Sequence, residues 1–111
     1  MKKLLTITAL MLLSMGLFSQ VVYSTSYSSD AKIKVYVTEY KSDADLVVYK
    51  TTYKSDASGN DGVWYFTEYK SDAKAVVYFT DYKSDADLVV YFTEYKSDAG
   101  WKNSSKKQLL Y

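Results

Sequence analysis

The chain has 111 residues, thirteen of them tyrosine, and it contains no proline, cysteine, histidine or arginine. That length holds one domain. A formal charge of +1 provides no basic field for nucleic acid. Without cysteine there are no disulfides or thiolate metal sites, and without histidine the commonest metal ligand and general base are missing.

Residues 1–20 differ from everything that follows. Lys2 and Lys3 precede an apolar run from Leu4 to Phe18, and small or polar residues come next. This is the layout of a bacterial secretory signal peptide. The run is shorter than the ~20 residues a spanning helix needs, so a signal is preferred to an uncleaved anchor. No cysteine is available for a lipoprotein anchor. Cleavage is expected after Ser19 or Gln20, leaving one domain over residues 21–111. Loss of Lys2 and Lys3 leaves twelve lysines against thirteen acids, a charge of about −1. The expected destination is the periplasm or the exterior.

From Val21 onward one phrase recurs. Tyr91–Ala99 reads Tyr-Phe-Thr-Glu-Tyr-Lys-Ser-Asp-Ala, Tyr65–Ala73 repeats it, and Tyr78–Ala86 changes only Glu to Asp81. Looser copies end at Ala31, Ala44 and Ala57. The anchor tyrosines Tyr27, Tyr40, Tyr53, Tyr69, Tyr82 and Tyr95 are spaced by 13, 13, 16, 13 and 13 residues, the long step falling at Ser58–Gly62. Thirteen residues are too few for a helical solenoid repeat and fit one strand plus one turn. With Val, Phe, Trp and Tyr abundant, the expected fold is all-β. Its six short strands are placed near 21–27, 33–40, 46–53, 62–69, 75–82 and 88–95.

Alternation divides each strand into two faces. One face carries Ile33, Val35 and Val37, then Leu46 and Val48, Trp64 and Phe66, Ala75, Val77 and Phe79, and finally Leu88, Val90 and Phe92. That face is assigned to the core. The opposite face, Val89-x-Tyr91-x-Thr93-x-Tyr95 and its copies, is amphipathic, with tyrosines expected to be half-buried. In the Lys-Ser-Asp-Ala element the Asp side chain is expected to close an Asx turn with Ala packed under the bend. The turn lysines are expected to be solvated and to discourage edge pairing. A plain meander of such strands leaves two aromatic edges open, so a barrel, a solenoid or a threaded arrangement must close the sheet.

The repeated Tyr-Lys-Ser-Asp-Ala, the Tyr-Phe-Thr-Glu-Tyr strands and the closing Ala99-Gly-Trp-Lys-Asn103 together resemble a small bacterial family, the septoil knot or 7(1) knot domain. The likeness runs from about Val21 to Lys107. It implies an all-β, deeply knotted fold, a topology that composition alone does not suggest, and it brings no catalytic residues with it. In the last unit Trp101 stands where Leu88 stood and is expected to cap the core. Residues 104–111 form a short tail that either threads or frays.

The candidate chemistry is modest. Asp56-Ala-Ser58-Gly-Asn60-Asp61-Gly62 offers alternate acceptors, but its glycine comes one place late for a calcium loop and Thr67 stands at the bidentate Glu position. A plain long turn is preferred, with no cofactor or metal. The carboxylates Glu39, Glu68, Asp81 and Glu94 share one repeat position, whereas paired-carboxylate catalysis needs contrasting environments. Serine or threonine nucleophiles have no histidine base. The expected role is a stable, non-catalytic structural scaffold. The alternative is a binding module for an envelope glycan or protein. Its candidate surface comprises Tyr65, Tyr69, Tyr78, Tyr82, Tyr91, Tyr95, Asn60, Asp61 and Trp101.

Overall fold

The computed structural model describes residues 20–111. Apart from Gln20, the expected signal segment lies outside the described residues. Seven strands follow in order: β1 (Val21–Ser24), β2 (Ile33–Val37), β3 (Leu46–Lys50), β4 (Val63–Phe66), β5 (Ala75–Phe79), β6 (Leu88–Thr93) and β7 (Gly100–Trp101). Five of the first six start at the expected residue and β4 one residue later, and all six end sooner, because the Thr-x-Tyr triplet turns out of the sheet. In all six units the Thr Oγ1 accepts the N–H of the tyrosine two residues on, at 3.1–3.2 Å. This hydroxyl turn competes with the β ladder and stops the strand.

The first six strands form a closed, wholly parallel barrel. β1 pairs with β4 and β5, β2 with β5 and β6, and β3 with β6 and β4, giving the ring β4-β1-β5-β2-β6-β3. The first half of the chain therefore alternates with the second half around the ring, and no edge is left open, as the aromatic strands demanded. Val77 of β5 faces Ser24 on one side and Ile33 on the other. Val90 of β6 likewise faces Val37 and Leu46. Ile33 thus begins β2 on the same ladder rung as Ser24, the last residue of β1, and Leu46 begins β3 on the rung of Val37. A stagger of about two residues per strand tilts the strands some 50–55° from the axis, steeper than the ~35–45° common in barrels.

Because a strand starts on the rung where its predecessor ended, the connector has only to step across the strand between them. Thr25 N–H donates to Val77 O and Lys32 N–H to Val76 O, so residues 25–32 straddle β5. The same pattern sets Thr38 and Asp45 on Val90 and Val89, Thr67 and Lys74 on Val22 and Val21, and Thr80 and Asp87 on Val35 and Lys34. Successive strand carbonyls point to opposite sides, which is why one connector can hold two of them. The straps also explain why Val21, Val47, Val63 and Val89, which face outward, are nevertheless buried.

The strap bends are single 3-10 turns, closed by backbone bonds. In each Lys-Ser-Asp turn the Asp N–H donates to the preceding Tyr O at 3.0–3.1 Å. The expected Asx turn is thus replaced: Asp56 and Asp98 accept the hydroxyls of Thr51 and Thr93 in their own units, and three turn aspartates meet lysines of other turns (Lys41–Asp98, Lys70–Asp30 and Lys96–Asp56). The alanines at the bends are buried at Ala44 and Ala57 and half-buried elsewhere.

Inside the barrel the stagger brings equivalent repeat positions to one height, which sorts the interior into three layers. The lower layer is Gln20, Ile33, Leu46, Gly62, Ala75 and Leu88; the middle layer is Val22, Val35, Val48, Trp64, Val77 and Val90. All twelve are buried. The upper layer is Ser24, Val37, Lys50, Phe66, Phe79 and Phe92, which face a wetter end. The core face read from alternation is the one observed, except that Val37 stands 40% exposed at this open rim.

At the lower end the repeat is interrupted. β3 shares one flank between two partners, β4 alongside Tyr49 and Lys50 and the antiparallel β7 alongside Leu46 and Val47. Gly62 sits where these three strands meet, at φ 93°, and a Cβ there would lie 2.4 Å from Val47 O and 2.9 Å from Gly100 N. Only glycine fits.

Residues 104–110 form a 3-10 run that packs into this end instead of fraying, and it buries Leu110 completely. Leu110 is the fully buried plug, and Trp101 packs against the same core as the expected cap. Trp101 is half-buried beside it, with its Nε1–H donating to Asn60 O at 3.0 Å.

Candidate functional site

The upper and outer surfaces hold the groups that packing has not consumed. At the mouth Phe66, Phe79 and Phe92 form a near-equilateral cup, with ring centroids 6.3, 6.4 and 6.4 Å apart. Trp64 supports it from below, edge-on to Phe66 at 6.0 Å. The three rings come from β4, β5 and β6, which are never neighbours in the ring; β1, β2 and β3 place Ser24, Val37 and Lys50 between them. Lys50 Nζ lies 4.5 Å from the centroid of Phe92 and 5.8 Å from that of Phe66, a cation held over two π faces. With Tyr36, Thr80 and Asp81 these groups line a cavity of about 610 Å³, within the ~300–1,000 Å³ range of small-molecule sites.

The tyrosines read from the sequence divide into two sets. Tyr65, Tyr78 and Tyr91, on the outward face of their strands, are half-buried as expected. The anchor tyrosines Tyr69, Tyr82 and Tyr95 are 65–68% exposed, as are Tyr27, Tyr40 and Tyr53 at 67–69%, which corrects the expectation for that half of the row. They lie past the strand ends, on the hydroxyl turns, so the alternation that buries their partners no longer applies. Two equivalent side grooves result. One, of about 320 Å³, is lined by Tyr65 and Tyr69 with Glu68, Asp72 and Lys54. The other, of about 260 Å³, is lined by Tyr36 and Tyr40 with Glu39, Asp43 and Lys83.

The remaining candidates go elsewhere. Asn60 is buried at the lower end, where its Nδ2 donates to Lys107 O at 3.1 Å, while Asp61 is exposed. Asn60 and Trp101 are joined by their hydrogen bond and do not meet the tyrosines. Among the described residues no group of three or more His, Cys, Asp or Glu is placed to hold a metal ion. No helix among them is long and apolar enough to cross a membrane.

The mouth was missed by strand-by-strand reading because its rings are joined only through the interleaved order. A signal was nonetheless present, since Lys50 stands at a position where the later copies carry Phe.

Compared with known families, residues 19–102 match the model of the 7(1) septoil knot domain. No curated protein matches the chain, and no solved structure does.

Proposed function

Since the chain belongs to the 7(1) septoil knot domain family, we propose that it is an exported, non-catalytic domain whose role is that of a rigid structural scaffold. One observation carries this reading: the polar groups of the repeat are engaged in holding the straps. The threonine hydroxyls accept tyrosine N–H groups, and the turn carbonyls and amides bond to one another. The straps cross strands of the other half of the chain, which supports the knotted winding that the family name describes. Hydrogen exchange tests the scaffold. Strap amides such as Lys32 and Asp45 are expected to exchange only through global unfolding; exchange at the rate of free loops defeats the reading.

Export rests on the layout of residues 1–20, and Gln20 favours one of the two cleavage positions. Its N–H donates to Ala57 O at 2.7 Å, its O accepts Tyr65 N–H at 3.0 Å, and its Nε2 donates to Leu110 O at 2.9 Å. A cut after Gln20 removes all three bonds; a cut after Ser19 keeps them. Mass spectrometry of the protein recovered from a fractionated host is expected to find Gln20 as the first residue in the periplasm or medium. Unprocessed chain in the cytoplasm contradicts export.

A second reading, a binding module for an envelope glycan or protein, is favoured by the two equivalent side grooves. Paired tyrosines beside carboxylates and a lysine suit sugars, whose apolar faces stack on rings while their hydroxyls find acceptors. Six near-identical units suit a repeating polymer. A glycan array and an envelope pull-down that both come back empty remove this reading.

A further inference from the structure

The third unit departs from the repeat on its mouth side. The units of β4, β5 and β6 read Phe66-Thr67-Glu68, Phe79-Thr80-Asp81 and Phe92-Thr93-Glu94; that of β3 reads Lys50-Thr51-Thr52. A ring is replaced by a cation, and two residues on a carboxylate is replaced by a hydroxyl. Both changes make this side of the rim more positive. The strand order then sets Lys50 between Phe66 and Phe92, with β5 and its Asp81 on the opposite side of the ring. Lys50 forms no ion pair with a carboxylate among the described residues. Its ammonium rests instead over the aromatic cup.

We propose that the barrel mouth binds an amphipathic carboxylate, such as a medium-chain fatty acid, with its chain against Phe66, Phe79 and Phe92 and its carboxylate on the Lys50 ammonium. The cup supplies apolar surface open to solvent, which a hydrocarbon chain covers. Lys50 supplies the single cation at its edge, free to exchange a π contact for a charge-assisted hydrogen bond. A cationic ligand is disfavoured because Lys50 already occupies the position over the rings that such a ligand needs. This site adjoins the side grooves, sharing Tyr36 with one and Phe66 with the other, but its cation and ring cup belong to the mouth, and it does not depend on the scaffold reading.

The test is calorimetric titration of the full chain, purified as its host processes it, with decanoate, decanol and decyltrimethylammonium below their micellar concentrations. Decanoate is expected to bind one to one and about tenfold more tightly than decanol, with the cation weakest. In Lys50→Gln the decanoate affinity is expected to fall to that of decanol, with decanol binding and the melting temperature unchanged. Phe79→Ser is expected to weaken both. Ligand-induced amide shifts at Ser24 and Asp81, which line the mouth and neither side groove, locate the site even if Phe79→Ser does not fold. Equal affinity for decanoate and decanol, preference for the cation, no effect of Lys50→Gln, shifts confined to the side grooves, or no saturable binding each overturns the proposal.

Discussion

At the lower end of the barrel the repeat is broken, and every break is used for closure. Gly62 lets three strands converge, β7 runs backward along half of β3, and the tail drives Leu110 into the opening. At the upper end the repeat runs on into solvent, with Ser24, Val37 and Lys50 standing where the later copies carry phenylalanine, and three rings that elsewhere would form a core are left facing a cavity. Both ends grow from the same staves. The regular middle stacks five valines and Trp64 in register, whereas the ends differ because each must either satisfy or expose what the layers stop covering. The lower end answers with a plug pinned by polar contacts. Lys102 and Asn103 N–H donate to Asp45 O at 2.8 and 2.9 Å, and Lys106 pairs with the Asp45 carboxylate at 3.3 Å. The upper end has no such closure among the described residues.

If the lower end is where stability is concentrated, substitutions there should dominate. Gly62→Ala forces a Cβ against backbone atoms at a positive φ, and a loss of about 3 kcal/mol or more is expected by urea unfolding. A loss below about 1 kcal/mol would show that the convergence of β3, β4 and β7 is loose. Leu110→Ala empties the plug and should cost about 2–5 kcal/mol, with Trp101 emission shifting to the red as water enters. In the strapped middle, Thr80→Val keeps the volume but leaves the Tyr82 N–H without its acceptor. About 1 kcal/mol is expected, and Thr38→Val should match it because the two turns are alike; unequal values would break the equivalence of the units. Smallest of all is Lys96→Ala, which removes an exposed pair at 3.8 Å. Less than about 0.5 kcal/mol is expected, vanishing in high salt.

Much of this was legible in the sequence, and the boundary of legibility has physical causes. Period-two alternation identified the inward face, so Val35, Val48, Trp64, Val77 and Val90 could be anticipated as core residues. The need to close aromatic edges pointed to a barrel among its alternatives. The strand ends were overestimated because Thr-x-Tyr satisfies β preference and hydroxyl-turn chemistry equally well, and the turn prevails. The bend was assigned to the Asp side chain, whereas a 3-10 turn satisfies its own backbone and frees Asp for other turns. Leu110 was passed over because two leucines in a short polar tail carry no periodicity. The cup of Phe66, Phe79 and Phe92 depends on which strands alternate around the ring, and no local pattern records that.

The interleaved order also dictates when the protein can fold. β1, β2 and β3 form no ladder with one another, and neither do β4, β5 and β6. A chain emerging from its N-terminus therefore carries three strands with no partner at all until residue 63 appears, and β2 must wait for β5. No stable half-product exists to accumulate or to aggregate through a finished edge, but no local nucleus exists either. Almost every ladder joins distant segments, so folding should be slow for a chain of this size and should begin only once nearly the whole domain has been delivered. A fragment ending before β4 should remain unstructured alone and recover structure only when mixed with the complementary half.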